Sequence, residues 1–210
     1  MLFLFFAFSW AATITQSAGI VGQDVVTSRE VQIAAVIDKI LNEPNANKTT
    51  GLYEIQIKDE KFPELTTTYL LERAAVLEGE SFSVGQVKDA ELKEAFNQVE
   101  KVTGSKSYWQ GLEADPATVK KIILIKLISR NFIKIKSESM SGIITDAEAK
   151  TYFERNRLKF GSSTLDNFKE NIKVYLAQQQ KEEKLRSWFE LLKKKYKIRN
   201  LLIESMKAPQ

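Results

Sequence analysis

Apolar positions recur every three or four residues along most of this chain, the spacing of helices that bury one face. Val31, Ala34, Ala35, Ile37 and Leu41 place such a stripe on a first helix, which Asn42 to Pro44 ends. Its start is marked by Thr27-Ser28-Arg29-Glu30, a capping box in which hydroxyl and carboxylate satisfy unpaired backbone amides. A second helix follows Phe62-Pro63, with Pro63 in the first turn, and carries Leu65, Tyr69, Leu70, Ala74 and Leu77. The third runs from Lys88 to Val102, with Leu92, Ala95, Phe96 and Val99 on one face and Gly104 as its stop.

Tyr108 to Leu112 reads as a short aromatic turn before Asp115-Pro116 opens a long helix to about Ser137. Its centre, Ile122 to Ile125 with Leu127 and Ile128, is apolar nearly all round, so neighbours should surround it as the spine of the core. Thr145-Asp146-Ala147-Glu148 is a second capping box, starting a helix through Tyr152 and Phe153 to Phe160. After a break at Gly161 to Thr164, apolar residues from Leu165 to Tyr196 keep helical spacing over the longest helix of the chain.

Strand signals sit at the two ends. Ile14 to Val26 reads as a β-hairpin with Gly22 in its turn, where a positive φ is needed. Ile198 to Ile203 has strand character and is expected to pair with that hairpin, tying the chain ends together; Glu204 to Gln210 should fray. Pro44 to Lys61, with Leu52, Ile55 and Ile57 alternating, reads as a loop or exposed hairpin. The expected fold class is mainly α: about six helices with a long C-terminal one, plus a small β element.

Composition narrows the chemistry. The sequence has no histidine and no cysteine, so within it a Ser-His-Asp or Cys-His site and the commonest zinc ligands are excluded. With nine glycines there is no Gly-rich phosphate loop, and the acidic residues are scattered beside Lys and Arg. No enzyme, no cofactor and no metal site is expected. A net charge of +4, gathered in runs such as Lys193-Lys194-Lys195 and Lys134 to Lys136, reads as solvated helix faces rather than a nucleic-acid surface.

Leu2 to Trp10 is apolar except for Ser9. It is too short to span a bilayer, which needs roughly 20 residues, but it fits the apolar region of a secretion signal. Ser9 and Ala11 suit cleavage after Ala11, leaving 12–210 as a single exported domain without stable membrane insertion. Only the α-amino group supplies positive charge ahead of this run.

The order of elements resembles a known family. The hairpin Ala18-Gly19-Ile20-Val21-Gly22-Gln23-Asp24-Val25-Val26-Thr27 and its capped helix are similar to the opening of SurA-type periplasmic chaperones. Ala90 to Ser137 resembles their next helical hairpin, and Ile144 to Phe160 resembles their helix with Asp146, Glu148, Tyr152, Phe153, Asn156 and Phe160 at fixed spacing. In isomerase-bearing members a parvulin domain follows that last phenylalanine. Here only Gly161, Ser162, Ser163 and Thr164 precede a helix of the family's closing type, Gln178 to Phe189, so the parvulin domain is missing between about 160 and 165. Pro44 to Lys61 looks like an insertion.

The resemblance implies a periplasmic, ATP-independent holdase for unfolded outer-membrane or secreted proteins, acting through an apolar groove without isomerase activity. The alternative is a helical scaffold binding one specific folded partner in the cell envelope. Unfolded polypeptides are the expected partners, and a homodimer is left open. The residues chosen as client-binding are Tyr108, Trp109, Phe132, Met140 and Phe82, because aromatic and flexible side chains repack around different clients. Core packing competes with that role at each of them, and more strongly at Trp188.

Overall fold

A computed structural model describes residues 15–42, 54–82 and 84–207. The expected signal at 1–11, the strand start at Ile14, Leu52 and the last three residues of the tail lie outside the described residues. Among the described residues the chain is mainly α, with eight helices and one small sheet.

Strands β1 (Ser17–Val21) and β2 (Asp24–Thr27) form the hairpin, with Gly22 at φ 62° in its turn. The third strand, β3, is only Arg199–Asn200, and it pairs antiparallel with β1 through Gly19 with Asn200 and Ile20 with Arg199. The sheet order β2-β1-β3 therefore joins the two ends of the described chain, as the strand signals predict.

Beyond Asn200 the expected strand does not continue. The Asn200 Oδ1 accepts from the Leu202 and Ile203 backbone amides, both at 3.1 Å, and so caps a helix at Leu201–Lys207. Arg199 pairs with Glu204 on its first turn. The same Asn200 side chain donates to the Pro63 carbonyl at 2.7 Å, which fastens this corner to the second helix.

The helices are α1 (Ser28–Asn42), α2 (Phe62–Ser81), α3 (Asp89–Thr103), α4 (Ser107–Gly111), α5 (Pro116–Ser139), α6 (Asp146–Arg155), α7 (Lys169–Lys195) and α8 (Leu201–Lys207). Both capping boxes form. Glu30 N–H donates to Thr27 Oγ1 at 3.2 Å while Thr27 N–H donates to Glu30 at 2.9 Å, and Thr145 with Glu148 repeats the exchange. At α5 the Asp115 carboxylate accepts from the Ala117 and Thr118 amides.

The main core lies where α5 packs against α1, α2 and α3. Ile122, Ile123, Ile125 and Leu127 are buried, so the spine reading of α5 holds. Helix α1 is more enclosed than a single stripe predicts: Val31, Ile33, Ala34, Val36, Ile37 and Ile40 are all buried, and Gln32 donates to the Ile55 carbonyl at 2.6 Å. Ile55 and Ile57 pack on the core from an irregular segment rather than from a hairpin.

Helix α6 ends sooner than expected. Asn156 donates from its side chain to the Tyr152 carbonyl at 2.9 Å, and residues 157–160 turn as a 3-10 helix. Phe160 then folds back on Phe153 with ring centroids 4.7 Å apart. Ala149, Phe153 and Ile172 make a small separate core there, between α6 and the N-terminal half of α7. Helix α7 runs from that core to the main body and buries nothing between Ile172 and Trp188.

Candidate functional site

The last turns of α5 meet the second half of α7, and the residues there decide what the junction offers. Phe132 and Trp188 sit edge to face at 5.9 Å, with Ala75 and Leu192 completing a compact cluster. Gly79 lets Phe132 sit close to α2: a Cβ there would lie 3.3 Å from the Phe132 ring. At the end of α5 the Lys184 ammonium donates to the Met140 carbonyl at 3.2 Å, closing an otherwise open helix terminus.

Above this junction lies a groove of about 470 Å³. Met140, Trp188 and Leu191 give it an apolar floor, and Lys136, Lys184 and Glu183 stand on its rim. Leu191 is 63% exposed, although its neighbour Leu192 is buried. The groove falls within the range of small ligand sites, roughly 300–1,000 Å³, and holds one or two large side chains.

On the other side of α5 a second cleft, about 360 Å³, is charged. Lys126, 4% exposed, reaches Glu72 at 2.7 Å and Asp38 at 3.4 Å, which joins α5 to α2 and α1. Burial pushes the Glu72 carboxyl above its ordinary value, and Lys126 pulls it back in part. Lys126, Glu72 and Asp38 answer one another, so this trio works as a staple between three helices.

The five residues chosen from the sequence do not converge. Phe132 and Met140 belong to the α5–α7 junction, Phe132 beneath the floor and Met140 on it. Trp109 is buried in the main core, and Tyr108 packs half-buried against that core. Phe82, at the end of α2, is 63% exposed and joins no cluster. Leu191, Lys136 and Lys184 were not picked out by sequence. The adjacent pair Leu191-Leu192 gave no local signal, because neighbours about 100° apart on a helix can both be buried, as Ile122 and Ile123 are.

Apolar side chains are exposed elsewhere along α5 and the α6–α7 arm, including Ile135, Leu158, Val174 and Tyr175. Among the described residues no helix is long and apolar enough to cross a membrane, and no group of three or more acidic residues is placed to hold a metal ion. Family models, curated proteins and solved structures were compared with the chain, and none matches it.

Proposed function

We propose that this chain is an ATP-independent holdase of the cell envelope, exported to the periplasm, which captures unfolded outer-membrane or secreted proteins and does not isomerise them. The observation that carries the reading is the α5–α7 groove, with its exposed Leu191 and flexible Met140 over a rigid Phe132–Trp188 base. A rigid base keeps the groove open, and a thioether repacks around clients of different shape. The sequence resemblance to SurA-type chaperones supports the same reading independently.

The energetics suit capture and release. Covering one Leu or Phe side chain contributes about 1.5–3 kcal/mol, much of it offset by the entropy of ordering the client. One groove of this size therefore holds a client weakly, and tight binding needs several segments at once. Ile135, Val174 and Tyr175 are also exposed and offer separate apolar contacts outside the groove.

The test is light scattering during dilution of an unfolded β-barrel protein, without nucleotide, with the parent chain and a Met140→Ser/Leu191→Ser variant. Trp109 and Phe132 are each 5% exposed, so truncating them tests the core rather than the groove. The parent is expected to delay aggregation and the folded double variant to delay it much less. Equal protection by both sinks the reading.

A further inference from the structure

The rim of the α5–α7 groove is unevenly charged. Lys136 and Lys184 face a single carboxylate, Glu183. Lys136 has no salt-bridge partner among the described residues. Its field reaches Glu78, but that carboxylate is already held by Lys195 and the Tyr196 hydroxyl. Lys184 uses one N–H on the Met140 carbonyl, and an ammonium has three. Across α5, Lys134 also stands without a salt-bridge partner at the mouth of the charged cleft. An apolar floor under a cationic rim asks for an apolar side chain with an anion beside it.

The spacing narrows this further. Met140 lies one helical turn beyond Lys136 on α5, about 6 Å along the axis. In an extended polypeptide, side chains two residues apart share a face and lie about 6.7 Å apart. We infer that the groove prefers extended segments in which an apolar side chain stands two residues from a carboxylate, the apolar group over Met140 and Leu191 and the carboxylate at Lys136. This rests on the holdase reading and names its preferred client segments.

The experiment is a fluorescence anisotropy titration of the full chain with labelled, unstructured peptides. They share one apolar residue and differ in carrying Glu, Gln or Lys two positions after it. The Glu peptide is expected to bind about tenfold more tightly than the Lys peptide at low salt, with Gln between them and the gap closing as salt rises. Lys136→Gln should shrink the gap between the Glu and Lys peptides, and Lys136→Glu should reverse the order. Circular dichroism checks that each variant is folded.

Equal binding of the Glu and Lys peptides to the parent overturns the charge preference. If the Met140→Ser/Leu191→Ser variant then weakens both peptides alike, the groove still stands as the capture site. If that variant weakens neither, or no peptide binds the parent, the holdase reading fails with it. A parent that sediments as a dimer and a Leu191→Ser variant that sediments as a monomer would assign the groove to a second copy, against the inference.

Discussion

Gly19 sits where the two chain ends are joined, and replacing it by alanine isolates what that join contributes. A Cβ there would lie 2.6 Å from Leu70 Cδ1, 2.9 Å from Leu70 Cδ2 and 2.8 Å from the Arg199 carbonyl oxygen. Leu70 is fully buried and cannot swing out, while the Arg199 carbonyl belongs to the β3 backbone. The Cβ meets both at once, so Leu70 leaves its rotamer, at about 1–3 kcal/mol for overpacking, and β3 lifts and loses a ladder bond at about 1 kcal/mol. Both routes together cost about 2–4 kcal/mol, a large share of a typical 5–15 kcal/mol stability. Gly22→Ala serves as the control: nothing lies within 4 Å of a Cβ there, and only its positive φ is strained, at about 1–2 kcal/mol. Urea denaturation followed by tryptophan fluorescence measures both variants, and amide exchange at Asn200 shows whether β3 has lifted. A Gly19→Ala protein within about 0.5 kcal/mol of the parent, with unchanged exchange at Asn200, refutes the account.

Two further expectations concern charge. Lys126→Ala leaves the Glu72 carboxylate buried without its ammonium and should cost about 3–5 kcal/mol, whereas Lys126→Met with Glu72→Leu should recover most of it, both read from urea midpoints. Burial alone would raise the Glu78 carboxyl, but hydrogen bonds from Lys195 and Tyr196 hold it below its ordinary value; backbone and hydroxyl donation from Thr145 does the same for Glu148, and Lys173 and Lys169 for Asp146. These groups have folded values below their unfolded ones, so their stabilisation is present above the ordinary carboxylate range and is lost as pH falls through the folded values. The Tm should therefore drop on acidification below about pH 4.5, the ordinary glutamate value. Glu72, raised by burial, runs the other way: its penalty grows as pH rises from the ordinary value through the folded one, and Glu72→Gln should remove that opposing slope. A Tm that does not fall on acidification contradicts the assignment.

Elements that depend on near neighbours were legible in the sequence. Thr27 with Glu30, Thr145 with Glu148 and Asp115 with Thr118 are three residues apart, so the order of types alone locates three helix starts. The hairpin and its pairing with the C-terminal end followed from short apolar stretches on either side of Gly22 and again near Ile198. What failed depended on distant partners. The helix after Asn200 forms because that side chain, anchored to Pro63, caps it, and the strand character of Ile198 to Ile203 cannot register a cap held in place by α2. The candidate groove was half legible: Met140 and Phe132 stood out by residue type, while Leu191 and Lys136 acquire meaning only where α7 crosses the end of α5. Lys126 carried its own signal, since a lysine inside an apolar run needs an anion, but nothing local named Glu72.

The order β2-β1-β3 has a consequence for synthesis. The central strand is made near the start, and one of its two edges stays open until Arg199 and Asn200 leave the ribosome and dock beside it. The neighbouring Tyr196 carbonyl, which accepts from the Gly22 amide, adds a second tie between the same two stretches. A nascent chain therefore keeps that edge unpaired until Arg199 and Asn200 arrive, and a truncation before Arg199 should leave helices that collapse without settling into one arrangement.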